Sequence, residues 1–162
     1  FNGIALTTEQ LRDILSHPRI VGLKNSSGTI RTRKELLFLK RTIDFDLFEG
    51  DEWGIDEALI GGCDGAVVGF ASTGVKLMKD IAVCVDKGDL DGARESQFAL
   101  IDIFHKVYGP GAMWWSSGQK YALQYLGIIS SAVSRVESQQ NMPEDFKAGI
   151  RACMDAYRDR LA

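Results

Sequence analysis

Apolar residues in the first half of this chain change spacing several times. Leu11, Ile14 and Leu15 recur at the helical interval behind Thr7 and Gln10, which have the S/T-x-x-E/Q layout of a capping box, and His17-Pro18 stops the pattern. Ile20-Val21-Gly22-Leu23 then form a short continuous apolar run ending in Lys24, the mark of a buried strand over Ile20 to Lys24. Thr32 and Glu35 repeat the capping signal before a helix with Leu36, Leu37, Leu39 and Ile43 on its apolar face, and Phe45 to Phe48 reads as a second strand. A third helix carries Ile55, Ala58 and Leu59 and closes at Gly61-Gly62, where glycine accommodates the left-handed C-terminal position; Ala66-Val67-Val68 is the third strand. Helices and strands alternating with such short connections predict βα units and a parallel sheet.

Beyond Gly69 only helical spacing remains. Val75, Met78, Ile81, Ala82 and Val85 form one stripe. Leu90, Ala93, Leu100, Ile101 and Phe104 form another, opened by Asp89 as a cap. Met113 to Gly127 holds a shorter helix, Ser130 to Asn141 is a polar loop, and Phe146, Ile150, Cys153, Tyr157 and Leu161 mark the last helix. Three βα units cannot close a barrel, which needs eight strands, so the expectation is a small open sheet with a helical tail.

The balance of 19 Lys+Arg against 22 Asp+Glu, with no basic cluster interleaved with aromatics, argues against nucleic acid as a partner. No apolar stretch is long enough to cross a bilayer, and Phe1-Asn2-Gly3-Ile4 lacks the layout of a signal peptide, so the expected location is cytoplasmic and no membrane partner is expected. Cys63, Cys84 and Cys153 are widely spaced in apolar surroundings and read as reduced packing thiols. The first residue is not Met, and the elements begin at once, as in the middle of a protein.

The chemistry centres on Lys24, which ends the apolar run and opens the polar loop Asn25-Ser26-Ser27-Gly28. A lysine at a strand end, partly shielded from water, loses some preference for its charged form and can act as an amine nucleophile forming a Schiff base. The plain alternative is a solvated lysine finishing a strand. Asp51 and Asp56 lack the further oxygen ligands an ion site needs, and His17 and His105 have no nucleophile nearby in sequence.

Ile20-Val21-Gly22-Leu23-Lys24-Asn25-Ser26-Ser27-Gly28 resembles the lysine signature of the dihydrodipicolinate synthase/N-acetylneuraminate lyase superfamily. Gly50-Asp51-Glu52 is similar to that family's acidic segment after the next strand, Gly61-Gly62-Cys63-Asp64-Gly65 to its turn before the last strand, and Gly118-Gln119-Lys120 followed by Tyr125-Leu126-Gly127 to its C-terminal helix. The order and gaps match over nearly all of the chain, but only against the C-terminal half or so of a family member.

The resemblance implies an α/β fold, the C-terminal portion of a TIM (β/α)8 barrel from about strand six to strand eight, followed by a helical C-terminal extension. Residues 1–73 would be the partial barrel with the Schiff-base lysine and residues 74–162 the last barrel helix plus the extension, in one structural unit whose N-terminal barrel half is absent from this sequence. The implied activity is a class I aldolase or lyase in which Lys24 forms an imine with pyruvate or a 2-oxo acid, an aldehyde is the other partner, and neither metal nor organic cofactor is required. The family's tyrosine proton shuttle and the threonine pair that grips the carboxylate would lie upstream of Phe1, so this chain alone is expected to be inactive or nearly so until the missing half or a complementing chain joins it.

On the same resemblance Gly50 and Glu52 would border the substrate, Glu52 as a rim group for hydroxyls, with Val67 and Gly69 contributing backbone. An acid at a helix N-terminus is equally favoured by the helix dipole, and small residues at a strand end by packing. Ser26 and Ser27 could orient the imine, although serines before glycine are commonly turn formers. Phe1 stands where dihydrodipicolinate-forming enzymes place an arginine for the aldehyde's carboxylate, and Trp53 departs from the acidic residue of sialic acid lyases. Both departures favour a 2-keto-3-deoxy sugar acid over the substrates of dihydrodipicolinate synthase or N-acetylneuraminate lyase proper; the other reading is a non-catalytic interaction module, or an inactive fragment, in which Lys24 is a relic. Adjacent Trp114 and Trp115 suggest either an interface, in keeping with the homotetramers common in the family, or a lid over the barrel helices within one chain.

Overall fold

The computed structural model describes residues 5–136 and 141–161. Thr7 caps helix α1 (Thr8–Leu15) reciprocally with Gln10: each residue's side-chain oxygen accepts from the other's backbone N–H. Leu11 and Leu15 turn inward. Ile14, expected beside them, is largely exposed, because it precedes Leu15 by one position and so sits about 100° round the helix from it.

Strand β1 (Gly22–Asn25) follows, then α2 (Ile30–Leu39), β2 (Asp46–Glu49), a short 3-10 turn (Glu52–Gly54), α3 (Ile55–Ile60) and β3 (Gly65–Ala66). The sheet order is β1-β2-β3, all parallel, with Lys24 opposite Phe48 and Phe48 opposite Gly65. The strands are shifted from their expected bounds. Ile20 and Val21 precede β1, and Val21 is 76% exposed rather than buried. Among the described residues β1 has a paired neighbour on one side only, so nothing covers that start. Pairing ends at Ala66, with Val67 N adding one bond to Glu49 O at 2.8 Å.

Helix α2 is capped by Thr29, not Thr32: the Thr29 hydroxyl accepts from Thr32 N at 3.2 Å. Thr32 and Glu35 fall inside the helix, where Glu35 accepts from Arg31 and from Thr8. Those two donors hold its carboxyl below the usual range, Arg31 contributing most. At the end of α3, Gly61 remains right-handed and Gly62, at φ +102°, takes the left-handed position.

Alternation along the strands sends Leu23 and Leu47 to one face and Lys24 and Phe48 to the other. The first face joins a core of Leu11, Leu15, Leu36, Leu39, Phe45 and Ala58. Asp64 ties this layer together, accepting from Leu47 N at 2.6 Å and from Lys40 Nζ at 2.5 Å. The Leu47 N–H first, then Lys40, hold the Asp64 carboxyl below its ordinary value.

The described chain separates into two compact units, one ending at Val68 and one beginning at Gly69. The second contains α4 (Ala71–Asp86), α5 (Leu90–Tyr108), α6 (Trp115–Tyr125) and α7 (Glu144–Ala156). In α4 the buried positions are Thr73, Gly74, Leu77 and Ile81; Ile81 is buried as expected, Met78, Ala82 and Val85 are partly buried, and Val75 is exposed. Val75 stands six positions before Ile81 and so sits about 120° round the helix from it, while a break at Gly74 (φ −114°, ψ 27°) sets the residues before it apart from the rest. Asp89 caps α5 as expected, accepting from Gly92 N at 2.9 Å; Ala93 and Leu100 are buried, whereas Leu90 at the fraying end is exposed.

Phe70 is fully buried with its ring edge-on to Tyr108 at 5.4 Å. Trp114 lies 6.4 Å from Phe146, and Trp115 is half exposed. Residues 131–136 carry no helix or strand, and residues 137–140 of the expected polar loop lie outside the described residues. Ile150, Cys153 and Leu161 are buried, and Tyr157 Oη donates to Asp102 Oδ2 at 3.1 Å. Among the described residues no helix is long and apolar enough to cross a membrane.

Candidate active site

Parallel strands carry their functional groups at their C-terminal ends, and β1 and β2 end side by side. Lys24 is the next-to-last residue of β1, on the face away from the helices, and the turn after β2 passes directly beside it. Gly50 N donates to Asn25 O at 2.8 Å, which draws the two strand ends together. A methyl group built on Gly50 would overlap Ser26 Oγ, lie 2.6 Å from Lys24 Cε and lie 2.8 Å from the backbone oxygen of Asn25; the two side chains could move aside but that oxygen could not, so glycine suits the position and the lysine stem runs along bare backbone. The structure therefore brings Lys24, Ser26 and Gly50 together.

Lys24 is exposed, in contrast to the partial shielding expected from the apolar run. The reason is its face: the helices pack on the Leu23 side, and β1 has one neighbouring strand among the described residues. An open groove of about 480 Å³ lies alongside, lined by Leu6, Leu11, Leu23, Lys24, Ser27 and Leu36.

The other expected site residues are placed less tightly. Glu52 is half-buried at the start of the 3-10 turn, where Asp51 caps by accepting from Trp53 N at 3.2 Å, and Trp53 is 47% exposed. Val67 follows β3 and is half exposed. Gly69 begins the second unit, and its carbonyl accepts from Gln119 Nε2 at 2.7 Å. Ser27 is a turn former: its N–H reaches Asn25 Oδ1 at 3.2 Å and its hydroxyl accepts from Thr29 N at 3.3 Å. Phe1 and the residues beside it lie outside the described residues.

Three residues of this region escaped the sequence reading. Asn25 is buried at the end of β1. Glu49, only 2% exposed, ends β2, and Arg33, 9% exposed, reaches it from α2. Arg33 Nη1 lies 3.1 Å from Glu49 Oε2 and 3.0 Å from Gly54 O, and Nη2 lies 3.4 Å from Glu57 Oε2. The other carboxylate oxygen of Glu49 accepts from Gly50 N at 2.8 Å and Asp51 N at 3.1 Å. Both buried charges are thus paired and hydrogen-bonded, the condition under which burial is tolerated. The signal was available: Arg33 falls on the stripe shared by Leu36, and Glu49 ends an apolar strand.

Below the sheet end, burial pushes the Cys63 thiol up, with the Glu49 charge adding to it. Among the described residues no group of three or more His, Cys, Asp and Glu side chains is arranged to hold a metal ion.

The model of the dihydrodipicolinate synthetase family matches residues 1–150. The chain belongs to this family. A curated family relative, 4-hydroxy-tetrahydrodipicolinate synthase of Neisseria meningitidis, is 26% identical over 161 residues, covering 94% of this chain and 50% of that protein. Dihydrodipicolinate synthase from Bacteroides thetaiotaomicron superposes with a TM-score of 0.82 at 21% identity, covering 95% of this chain and 52% of the other. N-acetylneuraminate lyase from Fusobacterium nucleatum, in complex with pyruvate, gives 0.83 at 15% identity over 97% and 51%. The chain spans about half the length of the family members it matches, and at that level of identity the superpositions establish a shared α/β fold.

Proposed function

We propose that the protein is a class I aldolase or lyase whose Schiff-base nucleophile is Lys24. The observation carrying this reading is the position of Lys24 at the C-terminal end of a parallel strand, against Gly50, in a chain of the dihydrodipicolinate synthetase family. The amine attacks the ketone carbon of pyruvate or a related 2-oxo acid, water leaves, and the protonated imine accepts the electron pair as a C–C bond to an aldehyde unit is broken or, in reverse, made. The pyruvate complex of the lyase with the same fold supports the choice of oxo acid.

In this reading the chain supplies strands six to eight of a TIM barrel and the helical extension. The remaining barrel, with the proton relay and carboxylate grip, comes from the rest of a longer protein or from a complementing chain, and the assembly is a homo-oligomer. The aldehyde-bearing substrate is a 2-keto-3-deoxy sugar acid. Trp53 supports this choice, standing exposed beside Glu52 where a sialic acid lyase would place a carboxylate. The corresponding argument from Phe1 concerns a residue outside the described part.

Intact mass measurement of the native preparation after incubation with pyruvate and borohydride tests the reading. A pyruvyl adduct mapped to Lys24 is expected, together with loss of the adduct in Lys24→Ala; an adduct on another lysine, or none, overturns it. The isolated chain of 162 residues is expected to trap pyruvate at least about a hundredfold more slowly than the complete assembly, because it lacks general acid-base help and a carboxylate clamp.

A further inference from the structure

We infer that the buried Arg33–Glu49 pair is a positioning device for Lys24, holding the Gly50 backbone against the lysine stem and so setting the direction of its amine. This rests on the aldolase reading above. Neither residue touches Lys24. Glu49 Oε1 takes the N–H of Asp51 and shares that of Gly50 with Asn25 O, which fixes the first two residues after β2 to the strand's own last side chain. Glu49 Oε2 takes Arg33, which also takes the carbonyl of Gly54 at the end of the 3-10 turn. The loop from Gly50 to Gly54 is thereby tied at both ends to one guanidinium anchored on α2.

Three features set this arrangement apart from an ordinary ion pair. It is buried, whereas Arg31–Glu35 on the same helix is exposed. Its hydrogen bonds go to the backbone of the loop that meets Lys24, so a displacement of Glu49 is passed to Gly50 directly. The contact it controls is close: a methyl group built on Gly50 would lie 2.6 Å from Lys24 Cε and 2.8 Å from the backbone oxygen of Asn25, which cannot swing aside. A shift of about 1 Å in that backbone redirects the amine, and misplacement on this scale costs about a hundredfold in rate.

The test is the rate of borohydride trapping of pyruvate at Lys24 in the native, complete protein, measured as a function of pyruvate concentration. Glu49→Gln is expected to lower the saturating rate about ten- to a hundredfold while the half-saturating pyruvate concentration moves less than about threefold, since a positioning residue acts on attack rather than on binding. Glu49→Gln leaves Arg33 with only the more exposed Glu57 carboxylate as counter-charge, so the paired substitution Arg33→Met/Glu49→Leu, which removes both buried charges, is measured beside it. The double variant is expected to melt near the wild-type temperature and still trap slowly. Arg31→Ala, on the exposed face, is expected to trap at the wild-type rate. A folded double variant that traps as fast as wild type overturns the inference while leaving Lys24 as the nucleophile. A wild-type protein that takes no adduct overturns the aldolase reading, and this inference with it.

Discussion

The three cysteines occupy different surroundings, and their reactivity should follow. Cys153 is 8% exposed, and burial, aided by the nearby Asp102 charge, pushes its thiol up to about 11. Cys63 is equally buried, and Cys84 is only half covered. Because the thiolate is the reactive species, iodoacetamide at pH 8 is expected to label Cys84 first, with Cys63 and Cys153 labelled at least about tenfold more slowly until urea unfolds the chain. Peptide mapping of the alkylated protein reads the order directly. At this scale the place of Lys24 at a strand end was legible, because a lysine closing an apolar run is a local signal, whereas Gly50 was named by the resemblance of Gly50-Asp51-Glu52 to the family's acidic segment. For Glu49 and Arg33 the sequence shows two charged residues at inward positions but not their pairing, because each has its partner 16 positions away. It also misjudged the shielding of Lys24, since exposure depends on which neighbours a strand has, and that is not written in the strand itself.

Among the elements, α5 and α6 show how closely two helices can approach when one offers a glycine. A methyl group at Gly118 of α6 would collide with the carbonyl oxygen of Val107 in α5, and that oxygen belongs to backbone that cannot rotate away. Gly118→Ala is expected to lower stability by about 1–3 kcal/mol despite alanine's better helix propensity, visible as a lower urea midpoint for the helical unit. The helices themselves were legible because caps are short-range: Thr7 with Gln10 and Asp89 with Gly92 act where the sequence put them. Differences arise where neighbouring positions offer the same signal. In α4 Val75 is apolar but lies about 120° round the helix from the buried Ile81, and at the start of α2 Thr29 and Thr32 are both threonines with helical residues after them.

For the whole molecule, stability should form a plateau with a definite acid and alkaline edge. Asp64, Asp155 and Glu35 all have carboxyls held below their ordinary values, Asp64 chiefly by the Leu47 N–H, Asp155 by Arg158 and Glu35 by Arg31. Their contribution is complete above the unfolded carboxyl range, about pH 4, and is lost as pH falls through the lower folded values. The buried thiols shift the other way: the Cys153 contribution is complete below the unfolded thiol value, about 8.5, and is lost as pH rises towards about 11. Urea midpoints measured from pH 3 to pH 11 are expected to be flat between roughly pH 5 and 8 and to fall on both sides.

The strand order has a different consequence, one of timing. Each strand pairs with its immediate successor in the chain: Lys24 meets Phe48 and Phe48 meets Gly65, separations of 24 and 17 residues. No pairing among the described strands waits for a distant segment, so each one can dock as soon as it clears the ribosome, while later helices are still being synthesised. The edge of β1 that faces away from β2 has no paired strand among the described residues, so its backbone groups stay open while β2 and β3 are added on the other side.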